Sequence, residues 1–344
     1  MRVAILFMLF ASCGSVEVYA APCTGAETQL AQVSHQLTLN SPEAAENSLR
    51  ALSLSYPDCP EIILQRARLA QVKGDANQAA ELYYRYTDGD PDDSRGLAYF
   101  GRFFLEQRDY MRADALSAAA VQKNAVDPVA LSLRAQILVM KGQPHEAQEL
   151  LEKAIQIDPD EPEAQFQLGE IYDKAKLSPK AVSYFQKVVA LNPRDARAWD
   201  YLALNLEPLG DLDGAEEAYQ RGLRVDQPGK YYDAFLEYNY GRFLAKRNRL
   251  SASKRHLDTA VALTPQIRAV WYERARLDMR MGNYQQAQAD AEKAAACTQQ
   301  GGIIDLQIYS LLSQVYARLG NTVLAKKYMD LTRETPPPVR TESR

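Results

Sequence analysis

Ala45, Ala79, Ala113, Ala147, Ala181 and Ala215 follow one another at intervals of 34 residues. Alanine is common, but a fixed step held over six copies marks a tandem repeat. A period of that length is one supersecondary unit, which must stack on its neighbours to bury a core. The series runs on through Ser253, Ala287 and Ala325 with intervals of 38, 34 and 38, so two connections carry four extra residues, near Lys230–Asp233 and Gly302–Asp305. A second series of small residues keeps the same step: Ala67, Gly101, Ala135, Gly169, Ala203, Gly241, Ala275 and Ser313. Two series at one period predict two helices per unit.

The reason is steric. A helix hairpin brings its axes close only where the crossing side chains are small, and bulk must then pack around the crossing. In the stretch from Pro162 to Asp195, Leu168, Tyr172 and Phe185 surround Gly169 and Ala181 at helical spacing. Pro57, Pro91, Pro159, Pro193 and Pro265 recur near unit ends, each lacking the N–H that a continuing helix needs. Gly74, Gly142, Gly210, Gly282 and Gly320 fall between the two helices, where a left-handed residue ends the first.

Trp199, Leu202-Ala203, Gly210, Ala215 and Tyr219, like Leu168-Gly169, Tyr172, Ala181 and Pro193, resemble the tetratricopeptide repeat family. The resemblance covers nearly all of the chain after its leader. It implies an all-α fold, a right-handed α-solenoid of tandem helix-turn-helix units. Nine units are expected over residues 21–334, starting at Ala26, Pro60, Ser94, Pro128, Pro162, Ala196, Ala234, Arg268 and Leu306. The first is the weakest match, since Val33 and Leu52 stand where small residues belong. Residues 335–344, with Pro336-Pro337-Pro338, are expected to be a disordered tail.

Residues 1–20 read as a signal peptide: Arg2, an apolar run from Val3 to Ala11, and a small-residue exit at Val18-Tyr19-Ala20. That run is far shorter than the roughly 20 residues needed to span a bilayer, and no transmembrane segment is expected elsewhere. A rival exit at Phe10-Ala11-Ser12-Cys13 makes Cys13 a lipidation candidate. The expected address is therefore exported, periplasmic or secreted, with a possible lipid anchor. Export permits disulfides. Cys23 and Cys59 bracket the first helix pair, where a bridge would staple the amino-terminal end; the alternative is that they, like Cys297, are small packed residues. Cys297 is expected to be a buried apolar filler.

Chemistry is sparse. His35, His145 and His256 are far apart and lack partners at metal-ligand spacing, so no metal or other cofactor is expected. No phosphate loop, nucleophile elbow or Cys–His pairing is present, and the repeats occupy the room a catalytic domain would need, so no enzyme activity is expected. With 40 Lys+Arg against 44 Asp+Glu, the formal charge of −4 gives no general field for nucleic acid.

The family resemblance places the first helices of successive units along a concave groove. It assigns to that groove Arg68, Tyr99, Arg102, Phe166, Tyr201, Tyr238, Asn239, Arg242, Tyr272, Arg276, Arg280 and Arg318. Both ends are then basic and aromatic, while the middle, with Gln136, Met140, Glu163, Glu170, Asp173 and Asp200, mixes acidic, apolar and amide character. The competing structural reading pairs the arginines with neighbouring carboxylates. Glu273 stands where the two-carboxylate clamp of chaperone-binding relatives wants Asn, which argues against a chaperone-tail receptor. The expected function is a non-enzymatic scaffold or adaptor of the cell envelope that binds a peptide segment or partner subunit in its groove during assembly of a pilus, secretion or polysaccharide-export complex. A chaperone-like holder of unfolded exported proteins and a glycan-binding module are the alternatives.

Overall fold

The computed structural model describes residues 23–39, 41–57, 59–225, 233–297 and 302–335. The signal peptide, Cys13, most of the Lys230–Asp233 extension and the tail from Pro336 lie outside the described residues. The chain divides into two compact units, one up to Ala125 and one from Val126. In the first unit α1 (Glu27–Thr38) pairs with α2 (Pro42–Ser55), α3 (Pro60–Lys73) with α4 (Ala76–Gly89), and α5 (Ser94–Glu106) with α6 (Tyr110–Lys123). In the second, the pairs are α7 (Pro128–Met140) with α8 (Pro144–Ile157), α9 (Pro162–Lys174) with α10 (Ser178–Leu191), α11 (Ala196–Leu206) with α12 (Leu212–Val225), α13 (Asp233–Lys246) with α14 (Leu250–Leu263), α15 (Arg268–Met281) with α16 (Tyr284–Ala296), and α17 (Asp305–Arg318) with α18 (Thr322–Glu334). The described residues are thus all-α tandem hairpins, as the repeat predicts.

The small residues sit where the axes meet. Ala45, Ala79, Ala113, Ala147, Ala181, Ala215, Ser253 and Ala287 are all fully buried. A Cβ added at Gly169 would lie 2.7 to 3.0 Å from the Phe185 ring on α10, and one at Gly241 would lie 2.8 Å from Leu257 on α14. At the latter crossing the Ser253 hydroxyl donates to the Gly241 carbonyl at 2.7 Å. Ala325 is only partly buried, because α18 has no following pair among the described residues.

Sequence period also governs the turns. Gly74, Gly142, Gly210, Gly282 and Gly320 all take φ of 77 to 81°, and none has an atom within 4 Å of where a Cβ would stand, so the requirement there is dihedral and not space. Arg108, Lys176 and Asn248 occupy the same step of the repeat at φ of 59 to 61°. Glycine spacing alone does not reveal these three. Asp93, Asp127 and Asp195 recur as N-caps of α5, α7 and α11, each accepting two backbone N–H groups, a device worth about 1 kcal/mol apiece. The terminal prolines carry a further feature. Gln165, Trp199 and Trp271, each six residues on, donate a side-chain N–H to the carbonyls of Pro159, Pro193 and Pro265 at 2.8, 2.9 and 2.7 Å.

Within the first unit, Leu30, Val33, Leu37, Leu49 and Leu52 form the core of the α1–α2 hairpin with Ile62 and Leu69 of α3. Cys23 is bonded to Cys59, with Cα atoms 5.5 Å apart. Further along, Tyr83 is fully buried against Phe100 and Phe103, and its hydroxyl donates to Gln71 Oε1 at 2.7 Å. In the second unit one core gathers Phe166, Phe185, Trp199, Tyr219, Leu236 and Phe243, and another gathers Trp271, Ile308, Leu311, Leu312 and Tyr316. Tyr219 repeats the Tyr83 arrangement by donating to Glu207 Oε1 at 2.7 Å.

Arg268 fastens the extended connection after α16. Its buried guanidinium donates to the carbonyls of Ala294, Cys297 and Ile303 at 3.1 to 3.3 Å and to Asp305 Oδ1 at 2.6 Å. Cys297 is half-buried rather than buried, because it lies just past the end of α16 and not on its packed face. Its Sγ lies 3.7 Å from the Pro265 carbonyl, and burial pushes its thiol up, away from a nucleophilic thiolate.

Candidate functional site

The sequence-selected residues fall into two groups, one per unit, and the structure gives them unequal standing. In the first unit Arg68, on α3, reaches both neighbouring first helices. Its Nη1 donates to Ser34 Oγ of α1 at 2.9 Å and to Gln65 Oε1 at 2.8 Å, and its guanidinium lies 4.1 Å from the Tyr99 ring centre on α5. Arg102 lies 6.0 Å from the same ring. Arg68 is thus committed to holding α1, α3 and α5 together.

In the second unit α9 and α11 carry an acidic row. Glu170 accepts from the Tyr201 hydroxyl at 3.1 Å, and Asp173 accepts from Asn205 Nδ2 at 3.1 Å. Burial lifts the Glu170 carboxyl above its ordinary value, against Lys174 and the Tyr201 hydrogen bond, which act the other way. Burial and the neighbouring Glu170 likewise raise the Tyr201 phenol. Arg197 approaches Glu163 at 3.6 Å but lies closer to Asp195, at 3.0 Å, and stacks 4.5 Å from the Phe166 ring centre. Phe166 is itself only 4% exposed, wedged against Phe185 and Tyr201, so it is a core residue and not a ligand contact.

Helices α13, α15 and α17 carry the basic and aromatic residues. Arg242 stacks 5.4 Å from the Tyr238 ring centre, and one repeat later Arg276 stacks 5.6 Å from that of Tyr272. Burial, then Glu273, pushes the Tyr238 phenol up to about 12, against the pull of Arg242 and Arg276. Arg276 is exposed and paired within its own helix to Glu273 at 3.1 Å. Arg280 gives its donors to the Ala245 carbonyl at 2.8 Å and Asn248 Oδ1 at 3.2 Å. Two clefts open beside these residues. One, of about 420 Å³, is lined by Leu204, Glu207, Leu212, Arg242, Phe243 and Lys246. The other, of about 450 Å³, is lined by Tyr272, Arg276, Met279, Arg280, Leu306 and Leu311. Arg318 is exposed on α17, where the cleft wall is Gln314 instead.

Asn239 is buried between the two halves: its Nδ2 donates to both carboxylate oxygens of Asp200 at 2.9 and 3.2 Å, and its Oδ1 accepts from Arg242 at 3.5 Å. It therefore links α11 to α13 and does not face a ligand. Sequence reasoning missed this role, and missed Asn205 and Gln167 beside the acidic row. Their partners lie four residues away on the same helix or about one repeat away, and although Gln65, Gln167 and Asn239 share one step of the repeat, that step holds Tyr99, Leu133 and Tyr201 in the units between. Among the described residues no cluster of three or more His, Cys, Asp or Glu is placed to hold a metal ion, and no helix is long and apolar enough to cross a membrane. His256 is bound to Glu237 at 2.5 Å beside Tyr240.

Tetratricopeptide repeat profiles match residues 30–94, 100–162 and 138–204. The chain is a tetratricopeptide repeat protein. Such repeats are protein–protein interaction scaffolds, generally without catalytic function of their own. Among solved structures, the APC/C hetero-tetramer Cut9-Hcn1 superimposes with a TM-score of 0.73 at 15% identity over 85% of this chain, which spans only 56% of that one. The human IFIT1 dimer with m7Gppp-AAAA gives 0.57 at 19% identity, covering 86% of this chain and 67% of that one. PilW, described as a widely conserved type IV pilus biogenesis factor, gives 0.54 at 20% identity, covering 63% of this chain and 96% of its own. At these identities the likeness is one of fold alone. No curated protein matches the chain in sequence.

Proposed function

We propose that this tetratricopeptide repeat protein is an exported, non-enzymatic adaptor of the cell envelope. It seats a peptide segment or partner subunit on the first helices of its second unit, in the assembly of a pilus, secretion or polysaccharide-export complex. The observation that carries the reading is the repeated pair Arg242 on Tyr238 and Arg276 on Tyr272, each arginine lining an open cleft whose walls mix apolar with charged or polar side chains. An arginine held flat against a tyrosine presents its donor edge to a carboxylate or peptide carbonyl while the cleft takes a side chain. Each exposed contact of this kind contributes about 0.5–1 kcal/mol, so specificity needs several in register. The envelope address rests on the charged start and short apolar run of residues 1–20. The pilus branch draws support from the fold shared with PilW.

Affinity capture from native envelope extract tests the reading, comparing wild type with Arg242→Glu/Arg276→Glu. A defined protein set held by wild type and lost from the variant is the expected result. Equal retention by both would remove these arginines from the site. Recovery of polysaccharide alone, or of unfolded chains without selection, would replace the adaptor by a glycan-binding module or a chaperone-like holder. Amino-terminal sequencing of the cell-derived protein checks the address, with a start at Ala21 expected and a blocked Cys13 marking the lipidated form.

A further inference from the structure

The first-helix face of the second unit is electrically split, and although Arg276 pairs with Glu273 and Arg197 approaches Glu163, four of its charges are met by neutral groups instead of by opposite charges. Glu170 is met by a phenol and Asp173 by an amide. Arg242 is met by an amide and Arg280 by a carbonyl and an amide. Among the described residues neither of these acids has a cation at ion-pair distance, and neither of these arginines has a carboxylate there. Asn239 sits at the border, donating to Asp200 on the acidic side and accepting from Arg242 on the basic side. An independent feature deepens the negative side. Gln167 and Asn205, 4% and 1% exposed, give their N–H groups to Glu163 and Asp173 and each keep a side-chain oxygen with no hydrogen-bond partner. An unpartnered amide oxygen in a buried setting adds its partial negative charge to the row and leaves acceptor capacity that the chain does not fill.

We propose, building on the adaptor reading, that this face selects its ligand by charge order: an extended peptide carrying a lysine or arginine for the Glu170–Asp173 row and an aspartate or glutamate for Arg242 and Arg280. The spacing follows from the repeat. Packed helices stand about 8–10 Å apart, so the two steps from Glu170 and Asp173 on α9 to Arg242 on α13 come to roughly 20 Å. An extended chain rises about 3.3 Å per residue, which sets the two charges about six residues apart. The clefts beside Leu204 and Leu306 take intervening or flanking aliphatic side chains. Lys174 and Arg197 border the acidic row but do not cancel it, since Lys174 is exposed and Arg197 lies closer to Asp195 than to Glu163.

The test is fluorescence anisotropy of the purified chain with four labelled peptides on one Ala/Ser/Val scaffold, bearing Lys and Glu about six residues apart, Lys at both positions, Glu at both, or Gln at both. The Lys/Glu peptide is expected to bind roughly tenfold more tightly than the Gln/Gln peptide, the sum of two exposed ion pairs, and to weaken as salt is raised. Glu170→Gln/Asp173→Asn should abolish the gain from lysine but not that from glutamate, and Arg242→Gln should do the reverse. Helicity by circular dichroism guards against unfolding. Equal binding of all four peptides overturns charge order while leaving a peptide-binding face. Binding of none at about 1 mM overturns it as the selecting feature, and envelope capture then judges the adaptor reading by itself. A Lys/Lys or Glu/Glu peptide that binds best also overturns it.

Discussion

In the first helix pair Val33 and Leu52 fill the crossing and Cys23 is bonded to Cys59, whereas in the fifth pair Gly169 lets the Phe185 ring lie against the helix backbone. The fifth pair is covered on both sides, with Phe166, Phe185 and Trp199 continuing one core into α11 and α13. The first pair has one described neighbour, α3. A pair clasped from two sides gains its burial from its neighbours and can keep a tight, glycine-lined crossing. An end pair must supply more of its own apolar volume, and a covalent link to the start of α3 supplements it.

Removing the link should have the largest effect. Cys23→Ser/Cys59→Ser is expected to cost about 2–5 kcal/mol, concentrated in α1 and α2, and hydrogen exchange read by mass spectrometry should show those helices opening while α9 and α10 keep their protection. Uniform loss across the chain would erase the contrast. Leu52→Ala, at a site 4% exposed, should cost about 2–4 kcal/mol in the same region, although it installs the small residue that the repeat favours. The opposite change in the fifth pair, Gly169→Leu, should cost about 1–3 kcal/mol by forcing Phe185 aside. An unchanged melting curve would mean that the crossing is not where the repeat puts it.

The smallest effect has a pH signature. Burial raises the Glu170 carboxyl in the folded state above its ordinary 4.5. Between the unfolded and folded values the native state therefore holds more protons, and this group's contribution to stability falls as pH rises. Glu170→Gln should raise the melting temperature at pH 7, and the gain should fade as pH drops and vanish well below 4.5, where the carboxyl is protonated in both states. A gain that persists in acid would assign the effect to packing.

The period made the hairpins legible. Prolines at 60, 128 and 162 open α3, α7 and α9, and the buried alanines fall on the 34-residue step. The face that meets a ligand was less legible. Phe166, Asn239 and Arg242 all lie on first helices, yet one packs inward, one bridges to the neighbouring first helix and one borders a cleft. Consecutive first helices touch each other as well as the groove, so helical spacing narrows a residue to a side of the hairpin without saying which neighbour it meets. Arg68 and Arg280 show the same limit, since the groups that occupy them lie 32 to 35 residues away on the preceding repeat.

The bond from Asn239 to Asp200 and that from Lys246 to Glu207 each join residues 39 apart, hardly more than one repeat. A molecule stitched over such short stretches of sequence has low contact order, and its closing loops cost little entropy before contacts repay them. Within either unit each hairpin can therefore lock onto the one before it as soon as it is free, so a unit delivered amino-terminus first through a narrow channel would assemble from its leading end while its remainder is still threading.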